Sequence, residues 1–184
     1  MLHGALHSGG HAIDRLGEVC VVGREAERQF FLELLDRHGA VVLATLRRLC
    51  RSSHDAEDVF QETAMRVWRY LPRRNRLRAP RAWLMTVAYR RYLDHRSRSP
   101  THVELRDDLD ETLSDPAQQA QRSEERQRVQ TAVAGLPGAI HEVIVLHYTG
   151  GLTLRQTAKA MGISLGTVKS RLNNGLDRLR KAMS

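Results

Sequence analysis

The chain has only two cysteines in 184 residues, Cys20 and Cys50, and they form no metal-type cluster. A zinc site built on cysteine spacing is therefore excluded, and a disulfide is not expected in a reducing compartment. Aromatic residues make up only 5% of the chain, too few for a core built on stacked rings. No run approaches the ~18 apolar residues of a membrane-spanning helix. The opening stretch, MLHGALHSGGHAIDRLGE, lacks the basic start and apolar middle of a secretory signal, so a cytoplasmic location is expected. There is no Gly-rich phosphate cradle and no nucleophile motif.

Two histidine patterns invite a metal reading, and both fail on spacing. His3, His7 and His11 recur every four residues, but Gly4, Gly9 and Gly10 oppose the helix that would align them. His141-Glu142 and His147 look superficially like a zinc-protease motif. The two histidines are six positions apart, so they do not share a helical face as an i, i+4 pair does. The expectation is no enzyme, no metal and no cofactor.

What the chain has is positive charge, unevenly placed. Formal net charge is +8. From Arg66 to Arg98 there are eleven Arg against one Asp, a net +10. From Thr101 to Glu125 there are eight acids against two Arg, a net −6. The basic block predicts a polyanionic partner, nucleic acid first. The acidic block predicts a second surface, able to attract the first when no partner is bound.

Apolar spacing predicts helices and no strand, hence an all-α fold. Residues 1–23 read as a poorly ordered extension. Phe30, Phe31, Leu34, Leu35, Val41, Val42, Leu46 and Leu49 form one stripe, with Gly39 expected to kink or break it. Ala56, Val59, Phe60, Ala64, Val67, Trp68 and Leu71 form the next, with Asp55, Glu57 and Asp58 in its first turn, where the helix dipole favours acids. Pro80 opens a third helix carrying Trp83, Leu84, Val87 and Ala88. Both tryptophans lie on apolar stripes and are expected in the core. Residues 99–122 have the composition of an acidic linker. Helices resume near Ser123, break at the Gly135–Gly138 turn and again at Gly150-Gly151. The chain thus divides into a domain at 24–98 and another at 123–184.

The last thirty-odd residues, GLTLRQTAKAMGISLGTVKSRLNNGLDRLRKAM, contain a helix-turn-helix pattern. Thr153 and Gln156 have capping-box spacing. Gly162 supplies the positive φ of a tight exit, and Ser164 caps the second helix. Val168 and Leu172 face the core. Leu165 and the polar set Ser164, Gly166, Thr167, Lys169, Ser170, Arg171 and Asn173 occupy the outer side and N-terminal end, where side chains reach base edges and phosphates in a major groove. Asn174-Gly175 interrupts the pattern, and a mid-helix Gly costs roughly 1 kcal/mol relative to Ala.

Four stretches, in order, resemble the extracytoplasmic-function (ECF) sigma factors of bacterial RNA polymerase. GTVKSRL (166–172) is similar to their promoter-reading helix. DAEDVFQETAMRVWR (55–69) is similar to their core-polymerase-binding helix, and LRAPRAWLMTVAYRRYLDHRSR (77–98) to their promoter-melting segment. LPGAIHEVIVLHYTGGLTLRQTA (136–158) is similar to the entry of their second domain. The resemblance covers about 25–98 and 124–183. It implies a region 2 bundle and a region 4 helix-turn-helix on a flexible acidic linker.

It further implies that Asp55, Asp58, Gln61 and Glu62 grip the polymerase clamp coiled coil. Arg73, Arg74, Arg76, Arg78, Arg81, Arg90 and Arg91 would meet the minus-ten DNA, and the outer residues of 164–173 the minus-thirty-five element beside the polymerase flap. An anti-sigma factor is an expected partner. The alternative is a helix-turn-helix regulator that binds duplex DNA without polymerase; it leaves the acidic face and the Arg-rich loop without a purpose.

Overall fold

In the computed structural model the described backbone comprises residues 10–71, 77–98 and 127–183, with side chains described from Glu25 onward. Every regular element among them is helical. Three helices form an N-terminal module: α1 (Gly10–Leu49), α2 (Ser53–Arg69) and α3 (Pro80–Arg98). The C-terminal module begins with α4 (127–134) and α5 (Gly138–Ile144), which widens into a π-helical turn at Val145–Thr149. It ends with α6 (Leu154–Met161) and α7 (Leu165–Met183). The proposed linker, 99–122, lies outside the described residues, as do Arg73, Arg74 and Arg76.

α1 differs from the sequence expectation at both glycine-containing points. Its backbone is helical from Gly10 rather than from about residue 24, and Gly39 does not end it. Once nucleated, a helix gains a hydrogen bond for each residue added, which outweighs isolated glycines. Gly39 is buried where α2 crosses it instead: a Cβ there would make ordinary van der Waals contact with Phe60 Cζ, at 3.4 Å.

α2 starts where Ser52 Oγ accepts the Asp55 amide at 3.0 Å, satisfying one of the orphan donors of the first turn. Ala56, Val59, Thr63 and Val67 are buried at three-four spacing. The buried Thr63 hydroxyl donates to the Val59 carbonyl at 2.7 Å, which removes the cost of an unpaired polar group. α3 opens on its proline and buries Leu84, Met85, Ala88, Tyr89 and Tyr92, while His95, Arg96 and Arg98 complement the dipole at its end. Trp83 packs on the edge of this core, whereas Trp68 is half exposed and meets Phe31 edge-on at 5.2 Å. Its neighbours Val67 and Leu71 do reach the core, so Trp68 lies at the outer edge of the stripe.

The C-terminal module has its own core of Leu136, Val143, Ile144, Ala158, Val168 and Leu172. Val145, Leu146, Leu152 and Ala160 belong instead to the N-terminal core, so the two modules share one apolar body. α6 lies against α3, and the π turn against α1. Apolar spacing alone does not show this joint, because it marks which residues are buried and not which module buries them.

Candidate functional site

The helix-turn-helix is held by local chemistry at every corner. Thr153 Oγ1 accepts the Gln156 amide at 3.3 Å, and Gln156 Oε1 accepts the Thr153 amide at 2.9 Å, completing the capping box. Gly162 ends α6 in the left-handed conformation at φ 67°, and the Ile163 amide reaches back to the Ala158 carbonyl. Ser164 Oγ then accepts the Thr167 amide at 3.0 Å and shares a 2.8 Å hydrogen bond with the Thr167 hydroxyl. Val168 and Leu172 are buried, which turns Gly166, Lys169, Ser170 and Asn173 outward. Arg171, Thr167 and Leu165 are half-buried on the flanks. α7 runs unbroken through Asn173, Asn174 and Gly175.

The acidic residues of α2 do not form one uniform face. Asp55 approaches His95 at 3.7 Å and Glu62 approaches Arg98 at 3.8 Å, so both lean toward α3. Among the described residues Asp58 pairs only with the exposed His54, at 3.6 Å, and Gln61 is exposed. Farther along that helix, Met65 and Trp68 are also exposed. The open part of the stripe therefore runs from acid to amide to apolar surface.

The basic block divides similarly. Arg78 and Arg90 are exposed. Arg91 pairs with Asp94 at 2.5 Å. Arg81 lies against the backbone of Gly151, which has φ 62°, and its buried Nε has no hydrogen-bond partner among the described residues. Nearby His38 holds its proton less tightly than usual, through burial and then the positive charges of Arg37 and Arg81.

The residues that sequence reasoning missed lie between the modules. Glu142 of α5 is only 5% exposed. Its Oε2 accepts the Tyr89 hydroxyl at 2.5 Å, and its Oε1 forms an ion pair with Arg96. Arg96 also donates to Tyr92 at 3.3 Å and lies over that ring. Burial, then the Glu142 contact, raises the pKa of Tyr89; burial and the Glu142 charge likewise raise that of Tyr92. Burial opposes the charge on Arg96, but Tyr92 and Glu142 outweigh it and raise its pKa. The available signal was an acid set among Ile140, Val143 and Ile144, a position that predicts burial and hence a counter-charge.

Comparison with known proteins agrees with this division. Residues 34–100 match Sigma-70 region 2, and residues 132–181 match Sigma-70, region 4. The chain is 30% identical over 169 residues to the ECF RNA polymerase sigma factor SigK of Mycobacterium sp. (strain JLS), covering 86% of each. It is 33% identical over 159 residues to the ECF RNA polymerase sigma factor SigL of Mycobacterium tuberculosis (strain ATCC 35801 / TMC 107 / Erdman), covering 84% of this chain and 89% of the relative. Its fold is similar to that of the sigma factor RpoE from Bartonella quintana, solved in complex with the anti-sigma factor NepR, with a TM-score of 0.64 at 20% identity over 85% of this chain and 95% of that one. It is also similar to CnrH in complex with the cytosolic domain of CnrY, with a TM-score of 0.62 at 24% identity over 89% of this chain and 93% of that one.

Proposed function

The chain belongs to the ECF sigma factors of RNA polymerase, which direct promoter-specific transcription initiation, and from that premise we propose how its own surfaces divide the task. The unit at 24–98 grips core polymerase and opens the minus-ten element, the unit at 123–184 reads the minus-thirty-five element, and 99–122 tethers them. The observation that carries the reading is the capped start of α7. It turns Lys169, Ser170 and Asn173 outward while anchoring Val168 and Leu172 inside.

At that start Lys169 and Arg171 suit guanine or phosphate, Asn173 suits adenine, and Ser164, Thr167 and Ser170 suit phosphate or either base class. Gly166 leaves room for close approach of the backbone. On α2, Asp58 and Gln61, flanked by Asp55 and Glu62, meet basic residues of the polymerase clamp coiled coil. Arg78 and Arg90, with Arg73, Arg74, Arg76, Arg81 and Arg91, follow the phosphates of the minus-ten strand. Unstacking a base costs a few kcal/mol, which those phosphate contacts help offset. The C-terminal module sits beside the polymerase flap.

The chain acts in the cytoplasm, needs no cofactor and leaves catalysis to the polymerase. An anti-sigma factor is the expected inhibitory partner; the structurally similar RpoE was captured with one. Transcription in vitro with core polymerase and a random promoter library tests the whole reading. A chain that neither binds core nor confers start-site preference would refute it, and binding to duplex DNA alone would favour the polymerase-independent regulator.

A further inference from the structure

We propose that Glu142 is an electrostatic latch: it holds the C-terminal module shut against α3 through Arg96 and Tyr89, and a nucleic-acid phosphate that captures Arg96 releases it. The proposal rests on the sigma-factor reading for the identity of the competing polyanion, but not for the latch itself.

A carboxylate as buried as Glu142 is stable only with a counter-charge and hydrogen bonds. Both of these partners come from α3, in the other module. Tyr89 is neutral, so the counter-charge is Arg96. Arg96 is not itself sealed in. Its side chain is 50% exposed, in the last turn of the basic helix. A phosphate can therefore reach it from solvent, and the guanidinium fork matches phosphate as well as carboxylate geometry. When Arg96 turns to a phosphate, Glu142 is left charged inside an apolar joint. The joint relieves this by opening and letting water reach the carboxylate.

The joint also engages a second arginine of the basic block. Arg81 lies against Gly151, where any Cβ would overlap its guanidinium. Closure thus occupies two arginines from the stretch with the highest positive charge in the chain. The remaining adhesion, from Val145, Leu146, Leu152 and Ala160, is apolar and indifferent to phosphate. By linkage, if nucleic acid favours the open form, the open form binds nucleic acid more tightly by the same factor.

The test uses the full chain and small-angle X-ray scattering at low salt, with far-UV circular dichroism to confirm that helicity is retained. Arg96→Gln strands Glu142 and is expected to raise the radius of gyration by about a quarter or more, as separation of two compact modules requires. The double variant Arg96→Gln/Glu142→Gln strands no charge and is expected to return to wild-type dimensions, with Tyr89 donating to the amide. Glu142→Lys sets a like charge against Arg96 and is expected to extend the chain independently.

A compact Arg96→Gln or Glu142→Lys variant would overturn the latch. So would a double variant as extended as Arg96→Gln alone. Start-site selection by the wild-type chain with core polymerase is measured separately. Its success alongside a failed latch leaves the sigma reading intact, and its failure leaves the scattering result intact.

Discussion

Gly175 of α7 lies directly against Ile140 of α5: a Cβ at position 175 would stand 2.9 Å from Ile140 Cγ2 and 3.1 Å from Ile144 Cδ1. The glycine that looked like a weak point in the reading helix is a point of close approach between α7 and α5. Gly175→Ala gains roughly 1 kcal/mol of helix propensity but forces a methyl group into a filled joint, where overpacking costs about 1–3 kcal/mol. The expected outcome is a net loss of about 1 kcal/mol, read as a lower urea midpoint with an unchanged slope. A gain in stability would mean that α5 yields freely.

Ser164 has a structural job and a proposed DNA contact, and the two separate by substitution. Ser164→Ala removes the acceptor for the Thr167 amide and is expected to cost about 1 kcal/mol, whereas Ser164→Gly costs only a few tenths. Both remove the hydroxyl. If that hydroxyl touches the promoter, both variants weaken promoter binding equally under conditions where both are fully folded. Normal binding by Ser164→Gly would confine the residue to capping.

Lys169→Ala and Arg171→Ala are expected to weaken promoter binding and flatten its salt dependence. Each lost duplex phosphate contact lowers the slope of log K against log salt by about 0.9. Binding isotherms across a salt series read this directly. Lys169 is exposed and Arg171 half-buried, so the Lys169 variant should show the effect with less change in stability. An unchanged slope in both variants would remove them from the phosphate contacts.

Asp58→Arg reverses charge at the open end of the α2 stripe. Among the described residues the ion pair it breaks is with exposed His54, so stability should change by no more than about 0.5 kcal/mol. Affinity for core polymerase is expected to fall more than affinity for free promoter DNA. Equal effects in the two assays would defeat the clamp assignment.

His38 makes stability depend on pH. Its folded pKa lies below the ordinary 6.5, through burial and then Arg37 and Arg81. Above 6.5 both folded and unfolded chains carry it neutral, and it contributes no pH dependence. As pH falls below that value the unfolded chain takes up the proton first, so stability declines through the folded pKa. Urea midpoints measured from neutral to mildly acidic pH should fall less steeply for His38→Gln. Identical slopes for the two proteins would show that other groups control the acid limb.

Much of this architecture is legible in the sequence because short-range rules write it. The Thr153–Gln156 box, the left-handed Gly162, the cap at Ser164 and the first-turn Pro80 all act within a few residues. What escaped depends on distant partners. Gly39 is read as a break until Phe60 is known to lie on it. Glu142 looks like part of a failed metal motif until Tyr89 and Arg96, 53 and 46 residues earlier, are brought to it. Trp68 shares its spacing with buried neighbours yet lies half exposed at the outer edge of the stripe. Arg81 is likewise engaged only once Gly151 is brought to it, whereas Arg91 pairs with Asp94 within α3.

The π turn at Val145–Thr149 carries one more consequence. Such a turn is an α-helix with one residue inserted, and each residue rotates the downstream chain by about 100° around the axis. The Gly150 amide closes it on the Val145 carbonyl at 2.9 Å, five residues back. The point at which the chain leaves α5 for the α6–α7 pair is thus shifted by a single surplus amino acid in a five-residue loop of backbone. Excising Tyr148 would leave every proposed base contact chemically intact yet turn the exit of α5 away from the joint that seats the pair.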